Sequence, residues 1–172
     1  MTELTRLRHN SFVVLGRAGM DLYADPPGTR TEEARAFVAH LGGSAANIAA
    51  ALVRQGAKAR LLTRVSQDAV GRFVLAELDR YGIGRAHVGP TGGEARTSLA
   101  VVETRAEDCQ SVIYRNGAAD FALTKEDVDA VDFAATGALV ITGTALADAG
   151  SRAATVHALS RARAAGAICV MG

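Results

Sequence analysis

Leu41-Gly42-Gly43-Ser44-Ala45-Ala46-Asn47 runs directly into Ile48-Ala49-Ala50-Ala51-Leu52, and this stretch restricts the chain more than any other. Two adjacent glycines carry no Cβ, so a ligand can approach the backbone closely. Ser44 is a good N-cap for the alanine-rich helix that follows, and the first turn of that helix presents free amide N–H groups. Helical side chains lean toward the helix N-terminus, so Asn47 is expected to point back at whatever sits over the glycines. Its amide offers donors and an acceptor together, which suits the hydroxyls of a sugar. The competing reading of the same residues is a glycine-rich turn before a packed helix, and the rest of the chain bears on the choice.

The strand and helix pattern around this turn alternates. Ser11 to Leu15 is a short apolar run ending at Gly16. Asp25-Pro26-Pro27-Gly28 is a loop by turn chemistry, and Ala34 to Leu41 reads as a strand. Ser44 to Gln55 is a helix stopped by Gly56, followed by a strand over Ala59 to Val65. Ala69 to Arg80 places Val70, Phe73, Val74, Leu75 and Leu78 at helical spacing, with Gly82 just beyond. Thr97 to Thr104 and Ser111 to Arg115 flank the polar tip Arg105-Ala106-Glu107-Asp108 as a hairpin. Thr124 to Asp127 opens a short helix with a cap and acids in its first turn. Ala138 to Thr142 is a buried strand, Ser151 to Ala165 a helix, and Ala167 to Met171 a last apolar strand.

Alternation of this kind predicts an α/β fold, a doubly wound, mostly parallel sheet covered on both faces. The strands within 22–41 and 87–116 have hairpin-like connections and a less uniformly apolar composition, which suits a small β-sheet lid. A lid shields a site from water and favours transfer over hydrolysis. No repeat, low-complexity tract or linker divides the 172 residues, so one domain with a lid is expected. The sheet is expected to be incomplete, because the chain ends on a core strand where such a sheet normally continues with a helix. On that ground the chain reads as the N-terminal part of a longer protein or as a truncated product.

Composition excludes several classes. A formal net charge of +1 with scattered basic residues and few aromatics leaves no footprint for nucleic acid. No apolar run is long enough to cross a bilayer, and Met1 to Asn10 lacks the apolar core of a signal peptide, so no membrane association and a cytoplasmic location are expected. Cys109 and Cys169 show no metal-ligand spacing, and His9, His40, His87 and His157 are isolated, so no metal site is expected from this chain.

Taken in order, three segments resemble the ribokinase-like sugar kinases, the PfkB carbohydrate kinase family. Gly19-Met20-Asp21-Leu22 is similar to the family's early strand-end aspartate. Gly42-Gly43-Ser44-Ala45-Ala46-Asn47 is similar to its first signature, and Val65-Ser66-Gln67-Asp68-Ala69-Val70-Gly71 to its Val-Gly-x-Asp-x-x-Gly segment. The resemblance spans almost the whole chain, and the order and spacing carry it. Within the family, Gly19 to Tyr23 and Tyr114-Arg115 most resemble the kinases of 5-dehydro-2-deoxygluconate and 2-keto-3-deoxygluconate. A guanidinium at Arg115 can grip the carboxylate that a sugar acid has and a neutral hexose lacks. Tyr114 and Asn116 flank it with further hydrogen-bonding groups, while the plain alternative is a solvated strand-end arginine.

The resemblance implies further roles. Asp21 accepts hydrogen bonds from sugar hydroxyls, or else caps a local turn. Gly42, Gly43 and Asn47 line the pocket floor. Thr97 touches substrate from a lid strand, or is structural there as a β-branched residue. Thr144, in Thr142-Gly143-Thr144 at the carboxyl edge of the sheet, borders the pocket where such folds bind ligands. The implied activity is ATP-dependent phosphorylation of a sugar or sugar-acid hydroxyl, with Mg²⁺ bridging the phosphates, and lid strands pairing into a homodimer.

The chain also departs from the family. The second signature, Asp-Thr-x-Gly-Ala-Gly-Asp, forms the anion hole and supplies the base, and it is absent from these 172 residues. Gly117-Ala118-Ala119-Asp120 is only superficially similar, and Ser66 stands where the family usually has glycine. Without base, anion hole or nucleotide site, the 172 residues alone are expected to be inactive and to bind no cofactor tightly. The alternatives are a non-catalytic sugar-binding or dimerisation module derived from such a kinase and, more remotely, a generic nucleotide-binding α/β domain.

Overall fold

β1 (Ser11–Leu15) is apolar after its first residue, and it sits at the centre of a five-stranded parallel sheet. The computed structural model describes residues 10–172; Met1 to His9, with the polar N-terminal segment and the histidine noted above, lie outside the described residues. The elements that follow are β2 (Gly19–Asp25), β3 (Ala36–Gly42), α1 (Ser44–Arg54), β4 (Lys58–Ser66), α2 (Ala69–Arg80) and β5 (Gly84–Thr91). The chain continues through β6 (Ser98–Val102), β7 (Ser111–Tyr114), α3 (Lys125–Asp129), β8 (Ala138–Ile141), α4 (Ala149–Ala164) and β9 (Ile168–Met171). The main sheet runs β5-β4-β1-β8-β9, and the second sheet runs β3-β2-β6-β7.

Helices cover both faces of the main sheet because its strands are apolar on both. Val13, Leu15, Leu62, Leu139 and Ile141 pack against Ala154, Ala158 and Ala162 of α4. Val14, Leu61 and Val65 face the other way, onto Ala45, Ala46 and Ala49 of α1 and Val74 and Leu78 of α2. The alanines let the helices lie close to the sheet. β1 pairs with β4 on one side and β8 on the other, so the strand order reverses around it. The carboxyl ends of β1 and β8 therefore flank the crevice in which doubly wound sheets bind ligands.

Helix ends follow local chemistry. Asp68 caps α2 by accepting from the Val70 and Gly71 amides. Thr124 and Asp127 form a reciprocal capping box at α3. At α1 the expectation fails: Gly43, not Ser44, is the N-cap, with φ 96° and no side-chain cap. Ser44 is the first helical residue, and its hydroxyl instead meets Thr144 Oγ1 at 3.2 Å. Only glycine fits the cap, because a Cβ at Gly43 would overlap the Arg17 carbonyl oxygen and that φ disfavours any side chain.

The small sheet differs in extent from the sequence expectation. Its first strand starts at Gly19, so Asp21 lies inside β2 and not at a strand end. β5 pairs in parallel with β4, so residues 84–91 belong to the main sheet, although composition assigns 87 onward to the lid. The hairpin about Arg105 to Asp108 is present, with β6 and β7 antiparallel. Its tip is tied down by Glu103, whose carboxylate accepts from the Thr31 amide at 2.8 Å and from Arg105 Nε at 2.8 Å. These bonds, the Thr31 amide first, hold the Glu103 carboxyl down at about 2.

Ser66, where the resembled family has glycine, is accommodated by its own hydroxyl. Its Oγ meets Thr97 Oγ1 at 2.8 Å and donates to Asp68 Oδ1 at 2.8 Å. The Ser66 amide also donates to Thr97 Oγ1 at 2.8 Å, which stitches the end of β4 to the start of β6.

Candidate functional site

Three backbone segments meet at the carboxyl edge of the main sheet: Gly16-Arg17 after β1, Gly42 to Asn47 entering α1, and Thr142 to Thr144 after β8. They pack with little space between them. A Cβ at Gly16 would overlap Thr142 Oγ1, and one at Gly42 would overlap the Asp21 carboxylate. The second glycine of the pair thus seats the helix against Arg17, and the first lets Asp21 lie flat on the strand end.

Asp21 is a carboxylate with an unmet need. Its Oδ1 is buried and has no hydrogen-bond partner among the described residues. Burial pushes its pKa up, against the opposing pull of the Arg17 and His40 charges. Strand alternation puts Asp21, Tyr23 and Ser98 on one face of the small sheet, and register sets His40 directly across from Asp21. On the same side, Asn47, exposed in the first turn of α1, lines a hollow of about 420 Å³ with Tyr23, His40 and Leu41.

Arg115 closes the other side. Its Nη2 pairs with Asp120 Oδ2 at 2.5 Å and donates to the Thr144 carbonyl at 2.8 Å, while its guanidinium lies 4.5 Å from the Phe121 ring centroid. Its Nε is buried and has no partner among the described residues. Thr144 in turn hydrogen-bonds through its hydroxyl to Ser44 and, at 2.9 Å, to Thr142. A guanidinium fixed by a carboxylate, a carbonyl and an aromatic ring is held in one orientation, with its buried Nε–H left without a partner.

With this arrangement in view, a comparison decides the family. Residues 9–171 match the pfkB family carbohydrate kinase. The chain belongs to that family. Among the proteins this PfkB family member resembles is the 5-dehydro-2-deoxygluconokinase of Photobacterium profundum, 40% identical over 159 residues that make up 92% of this chain and 48% of that protein. The solved PfkB protein from Polaromonas sp. JS666 is 28% identical with a TM-score of 0.84, covering 94% of this chain and 54% of that one. The fructokinase from Xylella fastidiosa solved with bound ATP is 26% identical with a TM-score of 0.83, over 94% and 51% of the two chains. The chain spans about half the length of the curated relatives it matches.

The residues singled out in this PfkB sequence do not all converge. Asp21, Gly42, Gly43, Arg115 and Thr144 come together at the carboxyl edge, and Asn47 stands on the adjoining hollow. Thr97 is committed elsewhere, its hydroxyl bonded to Ser66. Tyr114 pairs across from Leu99, on the face of the small sheet opposite Asp21. It lines a different hollow, which it shares with Thr97 and with Asp68, Val70, Arg96, Leu99 and Asn116. Sequence reasoning missed Arg17 and Asp120. The signal for Arg17 was a cation set between an apolar core strand and a glycine. Asp120 lay in the Gly117-Ala118-Ala119-Asp120 run, which supplies no base motif but does supply the partner of Arg115.

Proposed function

We propose that residues 1–172 form the N-terminal, acceptor-binding part of a ribokinase-like domain, in an enzyme that phosphorylates a sugar-acid hydroxyl with ATP. The observation that carries this is a pair of orphaned buried polar atoms at this edge of the sheet, Asp21 Oδ1 against Gly42 and Nε of Arg115, the arginine that holds the Thr144 carbonyl. Buried polar atoms are almost always partnered, and a polyol with a carboxylate supplies what both lack. The name of the 40%-identical relative, 5-dehydro-2-deoxygluconokinase, points to the same chemical class of acceptor.

In this reading Asp21 accepts from acceptor hydroxyls, and Gly42 and Gly43, packed against Asp21 and the Arg17 backbone, form the floor that seats it. Asn47 adds donors and an acceptor from α1. Arg115, aimed by Thr144 and Asp120, takes the carboxylate. These groups bind and orient the acceptor, the part of phosphoryl-transfer catalysis that positioning supplies. The lid keeps water from the reacting hydroxyl. ATP would supply the phosphoryl group, and Mg²⁺ would offset the charge developing on it. Among the described residues no three of His, Cys, Asp and Glu are placed to hold a metal ion, so no step is assigned to a metal on this chain. The family's Gly-Ala-Gly-Asp motif is absent from the 172 residues, so the chain alone binds acceptor without transferring phosphate.

The same reading makes the lid a dimer interface and the location cytoplasmic. Both lid edges carry exposed apolar residues, Phe37 and Val38 on β3 and Val112 and Ile113 on β7. No described helix is long and apolar enough to cross a membrane. Light scattering on the purified chain is expected to give twice the monomer mass.

Thermal shift of the 172-residue chain tests the function. 2-Keto-3-deoxygluconate is expected to raise Tm, by an amount corresponding to about 2.7 kcal/mol at a hundredfold excess over Kd, and ATP to leave it unchanged. A response to ATP with none to any sugar or sugar acid overturns the acceptor-half reading. ATP-dependent phosphorylation by this chain overturns its inactivity.

A further inference from the structure

Arg17 is only 8% exposed, directly after the central strand of the main sheet. Among the described residues its one side-chain hydrogen bond runs from Nη1 to the neutral hydroxyl of Ser98 at 3.0 Å, and it forms no ion pair. A largely buried cation whose side chain meets only a neutral hydroxyl is costly, and a chain that keeps one has something to set against it. Burial drives its pKa down, and the nearby Asp21 and Asp120 charges only partly oppose that, while Arg115 adds to it. Asp120 is already engaged by Arg115, and Asp21 does not reach Arg17.

We infer that Arg17 is a second carboxylate-binding residue at this crevice, sharing with Arg115 the acid group of the acceptor and setting the preference for sugar acids over neutral sugars. Three features converge on it. The Arg17 backbone carries the Gly43 cap of α1, so the guanidinium is fixed to the same segment that forms the pocket floor. Ser98, its hydrogen-bond partner, pairs in register with Gly19 on the lid face that bears Asp21. Arg115 is tethered to Thr144, whose hydroxyl meets Ser44, the residue after that cap. An incoming carboxylate gives Arg17 its missing counter-charge and takes up the spare Nε–H of Arg115. A guanidinium on each side discriminates a carboxylate from a hydroxyl more sharply than either alone.

This inference rests on the acceptor-site reading, and the experiment separates the two. The 172-residue chain and its Arg17→Met variant are titrated by calorimetry with 2-keto-3-deoxygluconate and with D-fructose. Wild type is expected to favour the acid, and Arg17→Met to lose about 10- to 100-fold in affinity for the acid with fructose binding unchanged. The ligand-free Tm of Arg17→Met is expected to equal or exceed that of wild type, because methionine fills the space of an unpaired buried cation.

Full acid affinity in Arg17→Met overturns the inference and leaves the acceptor site standing. Equal loss of acid and fructose makes Arg17 a general positioning residue and likewise overturns it. Wild type that binds neither ligand overturns both readings. Should Arg17→Met fail to fold, the Arg17 Nε–H resonance of wild type serves in its place. Its displacement by the acid and not by fructose supports the assignment, and its indifference to both overturns it.

Discussion

In the five-stranded sheet Val13, Val14 and Leu15 are completely buried, whereas in the four-stranded sheet Val112 and Ile113 are each 51% exposed. The first sheet is sandwiched between α4 on one face and α1 and α2 on the other. The second is held mainly by its hydrogen-bond ladder, a few tethers such as Glu103, and the seam where β2 and β6 leave the core. The two regions divide the candidate site between them. The main sheet contributes groups that cannot move without disturbing the core, Arg17 and Thr144. The small sheet contributes Asp21 and Ser98, and the segment after β7 contributes Arg115. A polar cleft that must open for ligand and close around it needs one rigid wall and one that yields at low free-energy cost.

The largest test of this contrast is Leu139→Ala, which empties a fully buried position on β8 in the core beneath α4. It is expected to cost about 2–5 kcal/mol in urea denaturation. A cost below about 1 kcal/mol would remove the distinction between the sheets.

Next comes the seam. Arg115→Met strands the Asp120 carboxylate, whose side chain is 6% exposed, and is expected to cost about 3 kcal/mol. Asp120→Asn added to Arg115→Met is expected to recover most of it, measured as a double-mutant cycle. Additivity of the two losses would mean that the pair is not coupled as its geometry implies.

A smaller effect is expected at the lid tip and depends on pH. The folded Glu103 carboxyl lies at about 2, below its ordinary 4.5. The contribution of its bonds is therefore complete above about pH 4.5 and is lost as pH falls through about 2. Amide hydrogen exchange at Thr31 and Gln110, both donors to Glu103, is expected to accelerate over that window relative to core amides at Leu61 and Leu139. Glu103→Gln should remove the pH dependence. Parallel acceleration in core and lid would show one cooperative unit in place of two.

The smallest effect is expected from Val112→Ser, within about 0.5 kcal/mol in the monomer, since the side chain is half-exposed. In light scattering the same variant should weaken self-association, and an unchanged dimer would take β7 out of the interface.

Much of this architecture is legible in the chain because its signals are local. The periodic apolar residues of 69–80 predict a helix with the same bounds as α2, and Ser11 to Leu15 is β1 as expected. The alternation of apolar strands with helices implies a parallel sheet, and all five main-sheet strands are parallel. The assignment of β5 goes astray because its residues, Gly84 to Thr91, include glycines, a proline and a histidine. They look like a lid strand, yet β5 is an edge strand of the main sheet, where such composition is tolerated.

Of the candidate site, the Gly42-Gly43 pair was legible because a close approach leaves a mark in composition, since only glycine lacks the atom that would collide, whereas Asp21 was marked only by the resemblance to the family. The position of Tyr114 was not, since a single-residue step along β7 decides which face it occupies, and register is fixed by pairing with β6. Nor could the sequence show that Asp120 holds Arg115, or that Arg17 is buried without a paired carboxylate. The order of elements, most helix ends and the glycines were determined by the chain alone, because each depends on residues a few positions apart. Which charges meet, which stay unpaired and which face the crevice was decided only by tertiary structure, because burial and electrostatic pairing join residues as far apart as Arg17 and Ser98.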